Sequence, residues 1–346
     1  MSSINRDLKG RRVILVLMFL LPGAILLSLG NGAAPLSAAD TVVGLWQYLS
    51  GDGSSQAAII VGQIRLPRTL LAAIVGAILA CSGAAMQGLF RNPLADPSLI
   101  GVTAGASLGA SLMIVLSGSV VFGYAGLTLV SIGAFIGGLL AVMVVYSLAN
   151  SPNGTSVATM LLAGIAITAL AGGLGNLLEF LADNEMLRQI SLWRMGGLDG
   201  ADYPRLVIAA VVGGVLMLAL PQFATALNAL LLGESEARHL GINVSRVKIG
   251  LIVCVAVGVG TAVALAGTIA FVGLIVPHIV RMLTGPDHRR LLPASALAGS
   301  FLLVLADTVA RLVLAPTELP VGVVTALIGV PFFISLLRRR HHYGMQ

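Results

Sequence analysis

Long apolar runs separated by short polar segments make up most of this chain. A hydrocarbon core needs roughly 20 consecutive apolar residues per crossing helix. On that template, spans are expected near residues 12–30, 66–88, 99–117, 121–148, 155–181, 203–222, 246–268, 270–285, 292–315 and 320–337. The even number returns the chain to the side on which it began. One boundary is weakly marked: the break "ALAGTIAF" is itself apolar, so the region 246–285 can pass for a single run.

Composition sharpens the class. With 346 residues, 57% hydrophobic and 10% charged, 42 glycines and a mean hydropathy of +0.99, a water-soluble domain is excluded. The chain reads as an all-α polytopic membrane protein, with residues 1–346 forming a single transmembrane domain. The first run follows Arg6, Lys9, Arg11 and Arg12 and lacks a cleavage site, so it is expected to be a retained span. Cys81 and Cys254 both sit in apolar runs, which argues against a disulfide framework or a multi-cysteine metal site. Recurring small residues, as in "GAILACSGAAMQG" and "AGASLGAS", read as close helix packing and are assigned to no ligand.

A net charge of +6 and a pI near 9.9 could point to nucleic acid, but in a membrane protein they first invoke the positive-inside rule. With the N-terminus inside, the inner segments hold Arg6, Lys9, Arg11, Arg12, Arg91, Arg238, Arg246, Lys248, Arg281, Arg289, Arg290 and Arg338 to Arg340, 14 of the 20 basic residues. Arg65, Arg68, Arg188, Arg194, Arg205 and Arg311 remain outside. Both termini are therefore expected in the cytoplasm, and no nucleic-acid partner is expected.

Candidate chemistry is sparse. No G-x-x-x-x-G-K-[ST] is present, and neither Lys9 nor Lys248 follows a glycine-rich loop, so the chain holds no P-loop. Inside the spans Asp307 is the clearest ionisable residue, with Glu179 and Asp183 near the outer end of the fifth. Ion-coupled carriers need buried carboxylates or relays, which leaves a channel or a transporter driven by a partner. No nucleophile–base pair or metal-ligand cluster supports a membrane-embedded enzyme. The segment "GESEARHLG" concentrates charge between two apolar runs and suits a grip for a cytoplasmic protein, the alternative being an ordinary solvated loop.

Several long motifs carry a resemblance: "IRLPRTL" at 64–70, "GAAMQGLFRNPLADPSLIGVTAGASLGA" at 83–110, "LLAGIAI" at 161–167, "GESEARHLGINV" at 233–244, "AGTIAFVGLIVPHIVR" at 266–281 and "ELPVGVVTALIGVPFF" at 318–333. Together they resemble the iron-complex and vitamin B12 permeases of bacterial ABC importers, the FecCD/BtuC-like group. The resemblance implies a type II ABC importer permease fold of about ten transmembrane helices in the bacterial inner membrane. It also implies a homodimer, two ATP-binding cassette subunits at the cytoplasmic face and a periplasmic substrate-binding protein. ATP and Mg would be bound by the partner ATPase and no cofactor by this chain.

In such permeases the segment matching 233–244 is a cytoplasmic coupling helix, which makes Glu234, Glu236, Leu240 and Gly241 the contact candidates. Ser235 stands where relatives often carry a third acidic residue. Glu236 and Leu240, four apart, can share one helix face. The resemblance further implies that Arg65, Arg68 and Arg311 meet glutamates on the lobes of the binding protein, the alternative being interface anchoring by snorkelling arginines.

The substrate pathway of such permeases runs at the dimer axis, along the fifth span and the stretch that follows it. Arg188, Trp193 and Arg194 lie in that stretch. Paired arginines suit an anionic cargo; the other reading places all three at the headgroup level. "LRQISLWRMGGL" resembles the haem-uptake members, which implies haem as cargo, with ferric siderophores and then cobalamin as alternatives. His239, His278 and His288 fall at or near the cytoplasmic side and are not read as haem ligands. An ATPase-independent channel or ion-coupled carrier is the rival of a different class.

Overall fold

The computed structural model describes residues 3–117, 124–151 and 154–343. The described residues form fifteen α-helices and one two-residue hairpin. In chain order these are α1 (Ser3–Gly30), α2 (Ala38–Leu49), α3 (Gln56–Ala58), α4 (Leu66–Leu89), α5 (Val102–Ser117), α6 (Tyr124–Ala149), strands β1 (Asn150–Ser151) and β2 (Gly154–Thr155), α7 (Val157–Leu181), α8 (Asn184–Met195), α9 (Tyr203–Ala219), α10 (Ala224–Leu230), α11 (Glu234–His239), α12 (Val244–Ala266), α13 (Val272–Thr284), α14 (His288–Val313) and α15 (Val321–Tyr343).

A π-helical stretch at Ile59–Arg65 joins α3 to α4. Seven stretches are helical, long and apolar enough to cross a membrane, and Val102–Ser117, Val272–Thr284 and Val321–Ser335 are shorter apolar helices. Together they match the ten expected runs, except that residues 121–123 of the fourth lie outside the described residues.

The polar segments between runs supply the caps. Asp183 Oδ1 accepts from Met186 N at 2.8 Å, Asp202 Oδ1 from Arg205 N at 2.8 Å and Asn243 Oδ1 from Arg246 N at 3.1 Å. Each satisfies a backbone donor that the first helical turn leaves unpaired. α8, α9 and α12 therefore each begin directly after an Asp or Asn that precedes the helical residues.

The centre of the molecule is α4, buried nearly throughout and wrapped by α14, α13, α12 and α9. A helix buried on all sides in an apolar solvent gains little from hydrophobicity and packs by close contact, which small residues permit. Gly76 faces the backbone of Gly299 on antiparallel α14, where Ser300 Oγ donates to Ala73 O at 2.7 Å. Gly83 faces the carbonyl of Gly273 on α13, and Gly105 and Gly109 of α5 face Gly137 and Gly133 of α6. A side chain at Gly83 would overlap backbone rather than a movable side chain. Gly83→Val is therefore expected to destabilise the fold by at least the ~1–3 kcal/mol of overpacking, read as lost monodisperse protein in size-exclusion chromatography; wild-type yield would contradict the close approach.

The weakly marked break resolves as a non-helical segment, Gly267 to Ala270, between α12 and α13. Gly267 takes φ +65 with ψ −163, a combination that glycine alone enters freely, and Phe271 caps α13 at φ +70 with its ring against Gly329 of α15. Gly197 N donates to Ala266 O at 2.9 Å and Gly322 N to Gly196 O at 3.3 Å, so the ends of α8 and α12 and the start of α15 meet here.

Candidate functional site

The two ends of the bundle carry different chemistry. At one end lies α11, a six-residue helix set between two glycines in conformations that other residues avoid, Gly233 at φ +126 and Gly241 at φ +81. Ala237 is buried beneath it, and Ile242 N donates to Ala237 O at 3.0 Å, so the helix is pinned along one side. The other side faces out. Leu240 is 64% exposed, Leu232 is exposed beside it, and Glu236 and Gly241 are exposed as well. Leu240 N donates to Glu236 O at 3.0 Å, the one-turn register that stacks the two side chains.

Glu234 has a partner inside the chain. Its Oε1 lies 2.7 Å from Lys248 Nζ, and that buried ammonium also donates to Thr155 O at 2.7 Å. A buried lysine needs such partners because desolvation of an unpaired charge is costly. Glu234 thus ties α11 to α12 and to β2, and Glu236 is left as the outward carboxylate. Lys248 was not singled out by the sequence, although a solitary lysine opening a long apolar run is a readable signal of a required partner.

At the opposite end, the three arginines expected on the surface are buried. Arg65, Arg68 and Arg311 are only 4%, 8% and 3% exposed. Arg68 Nη2 lies 2.9 Å from Asp307 Oδ1 and its Nη1 2.6 Å from Glu318 Oε2, while Arg311 Nε lies 3.0 Å from Asp307 Oδ2. Arg311 Nη2 also donates to Ser28 Oγ at 2.7 Å, and Arg65 donates to the carbonyls of Leu29 and Ala34. Their burial has a plain cause: the guanidinium forks find the carboxylates of Asp307 and Glu318 and the carbonyls at and after the end of α1 within reach, and these displace water as partners. The cluster clamps α1, α4 and α14 together. Arg311 sits one turn after Asp307, so the clamp was half visible in the spacing.

A largely apolar cleft of about 620 Å³ with several polar groups in its wall is lined by α5, α7 and the tip of α8. Thr103 and Ser107 of α5, Thr168 of α7, Thr268 of the α12–α13 break and Arg194 contribute its polar groups. Arg194 is paired with Glu179 at the end of α7. Near the α11 end, Ser98 also borders the cleft; its N donates to Asp96 Oδ1 at 2.8 Å, and burial pushes that carboxyl above the ordinary carboxylate range against the lowering by this bond. The structure separates the three residues expected along the pathway. Arg194 lines the cleft, Trp193 lines a different cavity, and Arg188 points outward beside Glu185 at 3.7 Å. The hydroxyls of α5 and α7 escaped the sequence reading because serine and threonine within an apolar helix fit lipid, packing or water equally well.

The exposed face of α7, with Leu162, Ile165, Phe180 and Leu181, borders this cleft. Among the described residues no group of three or more His, Cys, Asp or Glu could hold a metal ion.

Comparison with known proteins matches this architecture over nearly its full length. The FecCD transport family matches residues 17–339. The hemin transport system permease of Yersinia pestis is 45% identical over 332 residues, covering 94% of this chain and 96% of that protein. The cobalamin import system permease of Halobacterium salinarum is 48% identical over 287 residues, covering 82% and 74%. A solved structure, an inward-facing conformation of a metal-chelate type ABC transporter, superposes with a TM-score of 0.83 at 32% identity over 95% of this chain and 99% of that one. The fold is shared more distantly with a chain of PsaBC from Streptococcus pneumoniae, at a TM-score of 0.54 and 19% identity. With its membrane-crossing helices, this end-to-end similarity settles the family: the chain belongs to the FecCD transport family, as a multi-span permease of an ABC importer.

Proposed function

We propose that the chain is a permease subunit that carries an iron complex, haem, from a periplasmic binding protein to the cytoplasm, driven by two ATP-binding cassette subunits. Two copies form the importer, joined along the exposed α7 face so that two clefts meet at one axis. The α11 end then lies in the cytoplasm with both termini, which accords with the basic bias of that side. Glu236, Leu240 and Gly241 meet the ATPase there, and Glu234 holds α11 in place. The binding protein meets the opposite end, where Arg65, Arg68 and Arg311 lie beneath the surface and hold its helices together, and exposed Glu318 sits above them.

Arg194, the charged residue lining that cleft, carries the choice of cargo. A guanidinium has five donors in a fixed fork, suited to a carboxylate, and haem presents two propionates to a dimer that presents two such arginines. Cobalamin is the second reading, supported by the 48% identical relative. Ferric siderophores are a third.

ATP-dependent uptake into proteoliposomes containing the permease and its ATPase, with the binding protein at the outer face, separates them. Haem uptake is expected, reduced at least about tenfold by Arg194→Ala, the loss of one charged hydrogen bond, and little changed by Arg188→Ala. Cobalamin or siderophore uptake in place of haem would remove the haem reading and keep the importer. Uptake by vesicles lacking the ATPase would instead point to a channel or ion-coupled carrier.

A further inference from the structure

Behind α8, on a different side from the cleft that Arg194 lines, lies a second cavity of about 350 Å³. Its rim is charged with both signs: Arg205 and Asp199 line it, with Gln189 and the Trp193 ring on the α8 side. Arg205 Nη1 donates to Gly200 O at 3.0 Å, which ties the guanidinium to the segment that carries Asp199. The cavity continues into a cleft of about 290 Å³ between α6, α9 and α12, the two sharing Ser131, Arg205, Ala264 and Leu265. There the lining turns apolar, with Ile132, Phe135, Ile208 and Val212. Ile132 and Ile208 are exposed, on outward faces of their helices.

We infer that this composite cavity is a binding site for one zwitterionic ethanolamine phospholipid. The phosphate lies against Arg205, the ammonium against Asp199, and one acyl chain fills the cleft between α6 and α9. The reasoning is charge complementarity plus continuity. A headgroup that carries both charges matches a rim that carries both, and the apolar cleft begins at the residues where that rim ends. A purely anionic headgroup would leave Asp199 facing a like charge. A soluble solute would leave the apolar cleft unused. Because α8 carries Arg194 toward the transport cleft and Gln189 and Trp193 toward this cavity, a bound lipid would buttress the helix that bears the cargo contact.

The test is native mass spectrometry of the purified chain in detergent with phosphatidylethanolamine, phosphatidylglycerol of the same acyl chains, and soluble glycerophosphoethanolamine. The wild-type chain is expected to retain one phosphatidylethanolamine about tenfold better than phosphatidylglycerol, the discrimination of one charge contact. Asp199→Asn, which keeps shape, should erase that preference. Arg205→Gln should weaken both lipids. Val212→Trp, which fills the acyl cleft and leaves the rim intact, should weaken both without changing their ratio. Equal retention of the two lipids by the wild-type chain would overturn the proposal, as would lipid retention unaffected by Arg205→Gln and Val212→Trp. Binding of glycerophosphoethanolamine as tight as that of the lipid would assign the site to a soluble ligand and overturn it equally.

Discussion

Replacing Glu236 with lysine is expected to abolish ATP-driven uptake while leaving the folded yield of the permease unchanged. Glu236 is exposed, and among the described residues its side chain is paired only loosely, with His239 at 4.0 Å. Its value lies in what it meets outside. Reversing a charge at the centre of a small protein contact replaces an attraction by a repulsion and costs more than truncation, so a loss of uptake on the order of a hundredfold, about 3 kcal/mol, is the expected scale. Two controls separate coupling from folding. Leu240→Ala should lower uptake with no loss of thermal stability, since that side chain is already exposed. Glu234→Gln should lower thermal stability, because it leaves the buried Lys248 ammonium without its carboxylate. Full uptake by Glu236→Lys, measured in proteoliposomes with the ATPase present, would remove α11 as the transmission element.

Asp307→Ala is expected to cost stability rather than function. It strands two buried guanidiniums, Arg68 and Arg311, in the absence of the carboxylate that both address. Removing one partner of a buried charge pair typically costs about 3–5 kcal/mol, since the remaining charge stays desolvated. The measurement is thermal unfolding of the detergent-solubilised permease, with the triple variant Asp307→Leu, Arg68→Met, Arg311→Met as comparison. If the cluster is a clamp whose worth lies in pairing, the triple variant should recover much of the loss, as apolar replacement of a complete buried ion pair often does. An Asp307→Ala protein that melts like the wild type would show that solvent or lipid headgroups compensate the arginines.

The crossing helices were legible because apolar length is a strong signal and several of them, α7, α9, α12 and α14, begin at a polar cap. The expected 155–181 became Val157–Leu181, and the expected 246–268 became Val244–Ala266. Even the apolar break near 267–270 could be placed, since two spans were needed for the length available. The extra helices were less legible. α2 lies outside any long run and is held by Ser37 and Asp40 in a reciprocal capping arrangement that short sequence windows reveal only once a helix is suspected. The outward pose of α11 was readable from its glycine brackets, but which of its two glutamates faces out was not. That depends on Lys248, fourteen residues along, reaching back. The burial of Arg68 was hidden for the same reason: Asp307 and Glu318 lie more than two hundred residues from it in the chain. Long-range pairing decides whether a charge is a surface or a clamp, and composition is silent about it.

The brevity of α13 bears on how the protein is made. At 13 residues it reaches roughly 20 Å, against a hydrocarbon thickness of about 30 Å, and it carries Pro277, His278 and Arg281. A segment that short and that polar has weak apolar credentials for entering a bilayer by itself. Its neighbours α12 and α14 are long enough to enter alone. During biosynthesis α13 therefore has to follow its flanking helices in, and its seat against Gly83 of α4, threaded nearly two hundred residues earlier, must be kept open until it arrives. Partly assembled chains halted before α14 is made should accordingly be the species most exposed to membrane quality-control proteolysis.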